Sequence, residues 1–385
     1  MPVTIVRGAL ALSAAALVAL PAIPSASGRA RPGSSPRPVG SIEISEAAGL
    51  GRVEVHGDTA AVLQRDEGIV ALVDIENPKR PRVLGRFDDD ARQSLDGDLA
   101  FSSDGRWLFY ARQTRQFYLD GLLVLDVADP SSPRLAGYTA AGGTLRVAYH
   151  DAGDSEWVVT MDAVEGLTIA RFDPQTGVVV PVTVQPLPEP TQKVGGPASA
   201  GIVIDDDPMT GKTLLYASTG KTGVEVFDFT DPVNPAKLGG WEGIGLAELQ
   251  VASSARSRTI YAATEYWFDD QLAPEVVVLD ATDLSDIRKR GVKSIGKPAD
   301  DAWRVQGMEL VGGRLLVAHS HAGLVSFPTR RSGAPSLVSI AGRRNPEAGV
   351  VGEGPYAFDV DARGGLLFLT DAATGVLSIL RGSAP

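Results

Sequence analysis

The feature that most constrains this chain is a stretch that recurs four times at regular spacing. In each copy an apolar run ends in an aspartate, and a glycine follows eleven positions later. The first two copies are 52 residues apart, as are the last two, and the gap between the pairs fits one more unit. A period of about fifty residues is typical of propellers and repeat arrays. The copies contain Asp74, Asp126, Asp228 and Asp280, with Gly85, Gly137, Gly239 and Gly291.

A tight turn followed by an outer strand explains the residue types of this repeat. Asn77-Pro78 starts such a turn, because the Asx side chain accepts a backbone N–H two residues on and proline presets φ. Pro81 then suits an outermost strand, where a missing N–H costs nothing in the ladder. The recurring glycine predicts a β-bulge in that strand. Equivalent pairs are Asp129-Pro130 and Asp231-Pro232.

The chain after residue 40 divides into seven units, each with three or four short apolar runs between Gly, Asp and Pro. Runs of this length predict strands, and no stretch carries a 3.6-residue period. We therefore predict an all-β, seven-bladed β-propeller over 41–382. The predicted blades lie near 53–87, 98–140, 146–186, 201–243, 248–295, 306–342, and 356–381 together with 41–46.

Closure of the ring needs the N-terminal strand, because the last unit ends after its third run. Residues 41–45 alternate polar and apolar side chains as a strand should. We predict that Ile42–Ile44 lie beside Val376–Leu380 and supply the outer strand of the last blade, which removes an exposed edge.

The first forty residues predict export. Arg7 precedes a short apolar stretch, Gly8–Ile23, and small residues follow, so 1–27 are typical of a signal peptide. The alternative is an uncleaved anchor. Residues 28–40 are rich in Pro, Gly, Ser and Arg and predict a flexible linker. The chain contains no cysteine, which excludes disulfides and thiolate sites.

Net charge narrows the class of partner. A formal charge of −11 argues against nucleic acid, whose phosphates bind basic surfaces. It argues equally against an anionic membrane surface, and we expect no stable membrane insertion after signal cleavage. The expected partner is a protein, a glycan or a small molecule, and we expect a secreted or extracytoplasmic monomer.

Runs such as GLLVLDVADPSSP at 121–133 and GVEVFDFTDPVNP at 223–235 resemble the LVIVD repeat. That repeat occurs in bacterial secreted and cell-surface proteins expected to be β-propellers. The match is good in units one, two and four, partial in unit five, and incomplete in units three, six and seven. The resemblance implies an extracytoplasmic propeller that binds a partner, without a defined chemistry.

The mouth of the central channel is the first candidate site. The first strand of each blade lines the channel of a propeller. Charged residues of both signs stand at or near the starts of these strands and could hold a small anion or zwitterion. The alternative is a ring of mutually neutralising charges. The residues are Arg52, Asp98, Arg146, Glu248 and Arg304.

Two long loops are the second candidate site. Residues 265–274 carry Tyr266 and Trp267 beside acidic residues, and 112–121 carry Arg112 with two aromatic residues. Exposed aromatic loop residues are typical of recognition surfaces. The alternative is that each loop folds back over its own blade.

His319 and His321 are the candidate metal ligands, because an i, i+2 pair on a strand points the same way. The alternative is that they are plain surface histidines. His56 and His150 align at the opposite face and cannot join them. The acid-rich stretches 88–98 and 205–207 do not fit a calcium loop, and we expect solvated turns there.

These patterns favour an exported binding or protein-interaction scaffold with no cofactor. The alternative is a propeller enzyme, such as a lactonase-like hydrolase or a metal-dependent oxidase at the channel mouth. Fold alone does not separate the two.

Overall fold

The structure is a computed structural model. It describes residues 37–46, 49–65, 67–89, 94–114, 121–140, 144–162, 166–187, 200–219, 223–243, 246–264, 275–294, 305–320, 323–329, 336–338 and 356–381.

The described residues form seven four-stranded antiparallel sheets, which confirms the predicted seven-bladed all-β fold. Blade 1 contains β2 (Leu50–His56), β3 (Thr59–Gln64), β4 (Ile69–Asp74) and β5 (Arg82–Asp88). Blade 2 contains β6 (Ser94–Phe101), β7 (Trp107–Thr114), β8 (Gly121–Asp126) and β9 (Arg134–Ala140). Blade 3 contains β10 (Thr144–Asp151), β11 (Glu156–Asp162), β12 (Gly166–Asp173) and β13 (Val178–Gln185).

The other four blades repeat this order. Blade 4 contains β14 (Ala200–Asp206), β15 (Thr213–Thr219), β16 (Gly223–Asp228) and β17 (Ala236–Trp241). Blade 5 contains β18 (Leu246–Ser254), β19 (Ser257–Thr264), β20 (Glu275–Asp280) and β21 (Arg288–Ser294). Blade 6 contains β22 (Gly307–Val311), β23 (Arg314–His319), β24 (Gly323–Pro328) and β25 (Ser336–Val338). Blade 7 contains β26 (Ala357–Arg363), β27 (Leu366–Asp371), β28 (Val376–Arg381) and β1 (Arg37–Glu43).

The ring closes through β1, as the sequence predicts. Ile42 lies opposite Leu377 in an antiparallel ladder that runs the length of β28. Each innermost strand contacts the innermost strand of the next blade, and β26 contacts β2, which completes the circle. One expectation needs correction, because β1 begins at Arg37. The last residues of the 28–40 segment are therefore strand, where a flexible linker was expected. They pair with β28, whose edge would otherwise be the unpaired outer edge of blade 7.

The core lies between the blades. The middle strands are buried on both faces, and every side chain of β7 is buried, from Trp107 to Thr114. Aromatic residues fill the wedge between blades 2 and 3, where Phe109 stacks on Tyr149 and meets Phe172 edge-on. Each such buried side chain contributes about 1.5–3 kcal/mol to folding. Within the described residues, no helix has the length and apolarity to cross a bilayer.

The predicted Asx turns are present between the third and fourth strands. The Asn77 side-chain oxygen accepts from the Lys79 N–H at 3.2 Å, and Asp129 accepts from the Ser131 N–H at 3.0 Å. The Ser131 hydroxyl, followed by its N–H, holds the pKa of the Asp129 carboxyl below its ordinary value. These hydrogen bonds fix the backbone of each turn. The outer strand of the preceding blade packs against that backbone.

The recurring glycine marks a bulge, also as predicted. In blade 1, Leu72 faces Gly85 but Val73 faces Val83, so one residue of β5 is extra. The same shift occurs at the equivalent glycines of blades 2, 4 and 5.

A close approach explains why Gly85 and Gly239 are glycine, and Gly40 of β1 makes a similar approach in blade 7. A Cβ added to Gly85 would lie 2.5 Å from the carbonyl oxygen of Pro130, in the Asx turn of blade 2. A Cβ on Gly239 would overlap the Leu284 carbonyl oxygen in the turn of blade 5, and one on Gly40 would overlap that of Pro78 in blade 1. The repeat therefore fastens the outer strand of one blade to the turn of the next.

We expect Gly239→Ala to lower the free energy of unfolding by about 3 kcal/mol, because the added methyl group overlaps backbone of blade 5. Gly291→Ala is the matched control at the same repeat position, where an added Cβ meets nothing within 4 Å. It should change the free energy by less than about 0.5 kcal/mol. Urea unfolding of both variants measures this difference. Equal effects would contradict the proposed contact.

Candidate functional site

Three of the predicted channel-mouth residues meet in space. Arg52 of β2, Arg146 of β10 and Glu248 of β18 stand near the starts of innermost strands, on the side called here the upper face. Both guanidinium groups bind the same oxygen, Oε1 of Glu248; the Arg146 Nη2 atom lies 3.0 Å from it. Blades 1, 3 and 5 are not neighbours in the ring, so these bonds cross the channel. We call Arg52, Arg146 and Glu248 the channel strut.

Backbone carbonyl groups and the Asp359 carboxylate are further partners of the strut. The Arg52 Nη1 atom donates to the carbonyl oxygen of Gln306 at 2.9 Å and lies 3.6 Å from Oδ1 of Asp359. The Arg146 Nη1 atom donates to the Leu145 carbonyl oxygen at 2.8 Å. All three strut side chains are buried. Buried charges are stable only when paired and hydrogen-bonded in this way.

Carboxylates of the innermost strands bind the backbone of the neighbouring blade. Asp98, also predicted as a channel-mouth residue, accepts from the Val147 N–H at 3.1 Å and so joins blade 2 to blade 3. Asp359 accepts from the Val53 N–H at 3.0 Å and joins blade 7 to blade 1. These contacts are hydrogen bonds from neutral donors to charged acceptors, which are about twice as strong as neutral ones.

Chemically, the strut is an anion site that this chain fills with its own carboxylate. Two convergent arginines are a common way to hold a carboxylate or phosphate group. Here Glu248 occupies that place. The geometry corresponds to the ring of mutually neutralising charges that was the alternative for these residues, and a ligand-binding role for them stays a prediction.

Arg112 lies apart from the strut. It sits near the end of β7, where its Nη1 atom is 3.4 Å from Oδ2 of Asp89 and its guanidinium lies 5.5 Å from the ring centroid of Tyr138. Asp89 follows blade 1, so this pair bridges blades 1 and 2. Arg112 is buried and binds its own chain.

The histidines need a correction. His319 is fully buried at the end of β23, so it is not the plain surface histidine that was the alternative to a metal ligand. His150 is also buried, and burial lowers the pKa of its imidazole despite the nearby carboxylates of Asp206 and Asp151. Within the described ranges, no three His, Asp or Glu residues come together in a way that could hold a metal ion.

Several predicted site residues lie outside the described residues, so their roles stay predictions. They are Arg304, Tyr266, Trp267 and His321, together with the loop 265–274 and most of the loop 112–121.

Sequence reasoning missed a buried polar cluster at the lower face, because Asp205–Asp207 was interpreted as a solvated turn. Arg258 of blade 5 binds Asp207 of blade 4 at 2.6 Å, and both side chains are buried. Ser253 donates to Asp205 at 2.6 Å across the same boundary. Burial raises the pKa of Asp205 to about 6. Nothing in the spacing of the units pairs Arg258 with Asp207.

The ring and its strut define the class: a seven-bladed β-propeller. Sqt1 of Saccharomyces cerevisiae matches it with a TM-score of 0.57 at 10% identity, over 91% of this chain and 100% of that one. The Cps50 (Swd1) propeller domain of Myceliophteria thermophila matches with 0.53 at 13%, over 90% and 100%. BamB of Moraxella catarrhalis matches with 0.51 at 11%, over 90% and 98%. At these identities the likeness extends to the fold alone.

No protein-family model matches the chain. No curated protein matches it in sequence. The resemblance to the LVIVD repeat therefore stays a prediction.

We expect Glu248→Gln to lower the free energy of unfolding by about 3 kcal/mol, because two buried guanidinium groups lose their shared counter-charge. Arg82→Gln is the control, since Arg82 is 73% exposed and pairs with Asp74 at the surface. It should cost at most about 1 kcal/mol. Calorimetry of both variants measures the effect. A Glu248→Gln protein as stable as the control would show that the strut does not hold the ring.

Proposed function

We propose that this protein is an exported β-propeller that binds another protein at or outside the cell surface. The observation that carries the proposal is the channel strut. The charged groups best placed to receive a small ligand at the channel mouth are buried and bound to each other. Binding would then fall to the outer surfaces of the blades and to their loops, which suit a macromolecule.

Two features of the sequence support the same proposal. The first 27 residues are typical of a signal peptide, which supports a location outside the cytoplasm. The loop 265–274 carries Tyr266 and Trp267, the residue types that most often supply binding energy at protein interfaces. Exposed apolar side chains on the blades, described in the next subsection, add a further contact surface.

Export is tested by producing the full chain with a C-terminal tag in a bacterial host. We expect the mature protein in the extracytoplasmic fraction, with its N-terminus within a few residues of position 28. Binding is tested in the same cells by placing a photo-reactive phenylalanine derivative at position 267. The matched control is position 256, where Arg256 is exposed in the turn after β18.

The expected result is a crosslinked partner protein from position 267 and none from position 256. A cytoplasmic, unprocessed chain would contradict export. Crosslinks from neither position, or zinc or copper bound stoichiometrically to the purified mature protein, would contradict a pure binding role.

A further inference from the structure

Exposed apolar side chains are concentrated on one arc of the ring. Among the large hydrophobic side chains that are exposed in the described part of the chain, all but Val292 lie on blades 2, 3 and 4. Four of them are valines of β13, each between 43% and 55% exposed. We call the set the rim patch: Leu135, Tyr138, Val178, Val180, Val182, Val184 and Val233.

Contacts between blades make this patch continuous. Strands β9 and β13 touch along the rim, where a Cβ added to Gly137 would lie 3.2 Å from the Gly177 carbonyl oxygen. On the other side, the Thr183 hydroxyl donates to the carbonyl oxygen of Val233 in blade 4 at 2.8 Å. A contiguous apolar patch of this kind on a folded protein marks an interaction site more often than a chance exposure.

The strand β13 lacks the charged side chains that commonly protect an edge. It is the last strand of its sheet, so its outer N–H and C=O groups have no partner strand within that sheet. Every other described outer strand of more than three residues carries at least one charge, whereas β13 carries none. Charges on an edge strand prevent it from pairing with other chains. An edge without them is open to an added strand.

Proline and a bulge limit how such a strand can pair. Pro181 removes one donor, and Val182 is an extra residue, because Ala170 faces Pro181 while Ile169 faces Thr183. The ladder is therefore interrupted at the centre of β13. Val178–Val180 and Thr183–Gln185 remain on either side, and each can bind a few residues of an extended segment.

Net charge and buried area indicate which kind of partner can cover the rim patch. A second copy would bring another net charge of −11 to the contact. Two curved rims that meet along a strand of eight residues also bury far less than the roughly 1,200 Å² of a stable interface. An extended segment of another protein has neither problem, because it can lie along β13 and over Leu135 and Tyr138 at once.

We propose that the rim patch binds an uncharged extended segment of a partner protein, rich in β-branched residues, which adds as a strand to the edge of β13. This inference rests on the proposed function as a protein-binding module and names its partner's chemistry. Backbone hydrogen bonds would give affinity, and the exposed valines would select apolar side chains on the added strand.

The test uses a fluorescein-labelled nine-residue peptide of alternating threonine and valine, and the mature protein with its variants. Val180→Lys places a charge on the edge of β13. Val292→Lys is the matched control, since Val292 is a similarly exposed valine, 42%, on the outer strand β21 of blade 5. Fluorescence anisotropy measures binding, and thermal melting confirms that both variants fold.

We expect wild type and Val292→Lys to bind the peptide equally, and Val180→Lys to bind it at least about tenfold more weakly. A peptide with two adjacent prolines in each half should not bind, because these prolines remove N–H donors opposite Val178–Val180 and Thr183–Gln185. Equal binding to all three proteins, or no binding to wild type, would overturn the proposal. A wild-type dimer that Val180→Lys converts to a monomer would overturn it in favour of self-association. Crosslinking from position 267 reports on a different segment of the chain, so either proposal can fail alone.

Discussion

The pairing of the first described strand with the last is the contact on which the rest of the structure depends. Without β1, blade 7 would end at β28 and expose an unpaired edge, and nothing would join the two ends of the chain. With it, every blade lies between two neighbours, and the buried faces of the middle strands have partners on both sides. Because the chain contains no cysteine, this closure rests on contacts other than disulfides.

Contacts between blades stabilise the ring at three distances from its axis. At the centre, the channel strut joins blades that are not neighbours in the ring. Halfway out, aromatic and aliphatic side chains fill the wedges between blades. At the rim, Gly85, Gly137 and Gly239 each lie against the backbone of the turn in the next blade. The repeated stretch is therefore a fastening between blades more than a property of any one blade.

The fold could be predicted from the sequence because its signals are local and repeated. Asx-Pro turns, bulge glycines and short apolar runs each specify their own backbone, and the period specifies their arrangement. The alternation at 41–45 was enough to identify the closing strand. Its start at Arg37 was missed, because composition alone does not distinguish a linker from an edge strand that a neighbour holds.

The candidate functional site was harder to predict from the sequence than the fold. Alignment of the units placed Arg52, Arg146 and Glu248 at one level of the channel, but no spacing in the sequence says that two arginines share one carboxylate across non-adjacent blades. His319 was a candidate metal ligand, with a surface position as the alternative, and its burial follows from packing between strands that no single strand encodes. The absence of charge in β13 was visible in the sequence, and its meaning required knowing that β13 is an edge.

Closure of the ring can be measured directly with a single disulfide. Ser41 of β1 and Ser378 of β28 are direct cross-strand partners, at a spacing that suits a disulfide. In a chain without native cysteines, Ser41→Cys with Ser378→Cys should oxidise readily in the folded protein and raise its melting temperature. Ser41→Cys with Ser254→Cys, whose second position is on blade 5, should stay reduced. A first pair that fails to crosslink, or that crosslinks no better than the second, would contradict the closed ring.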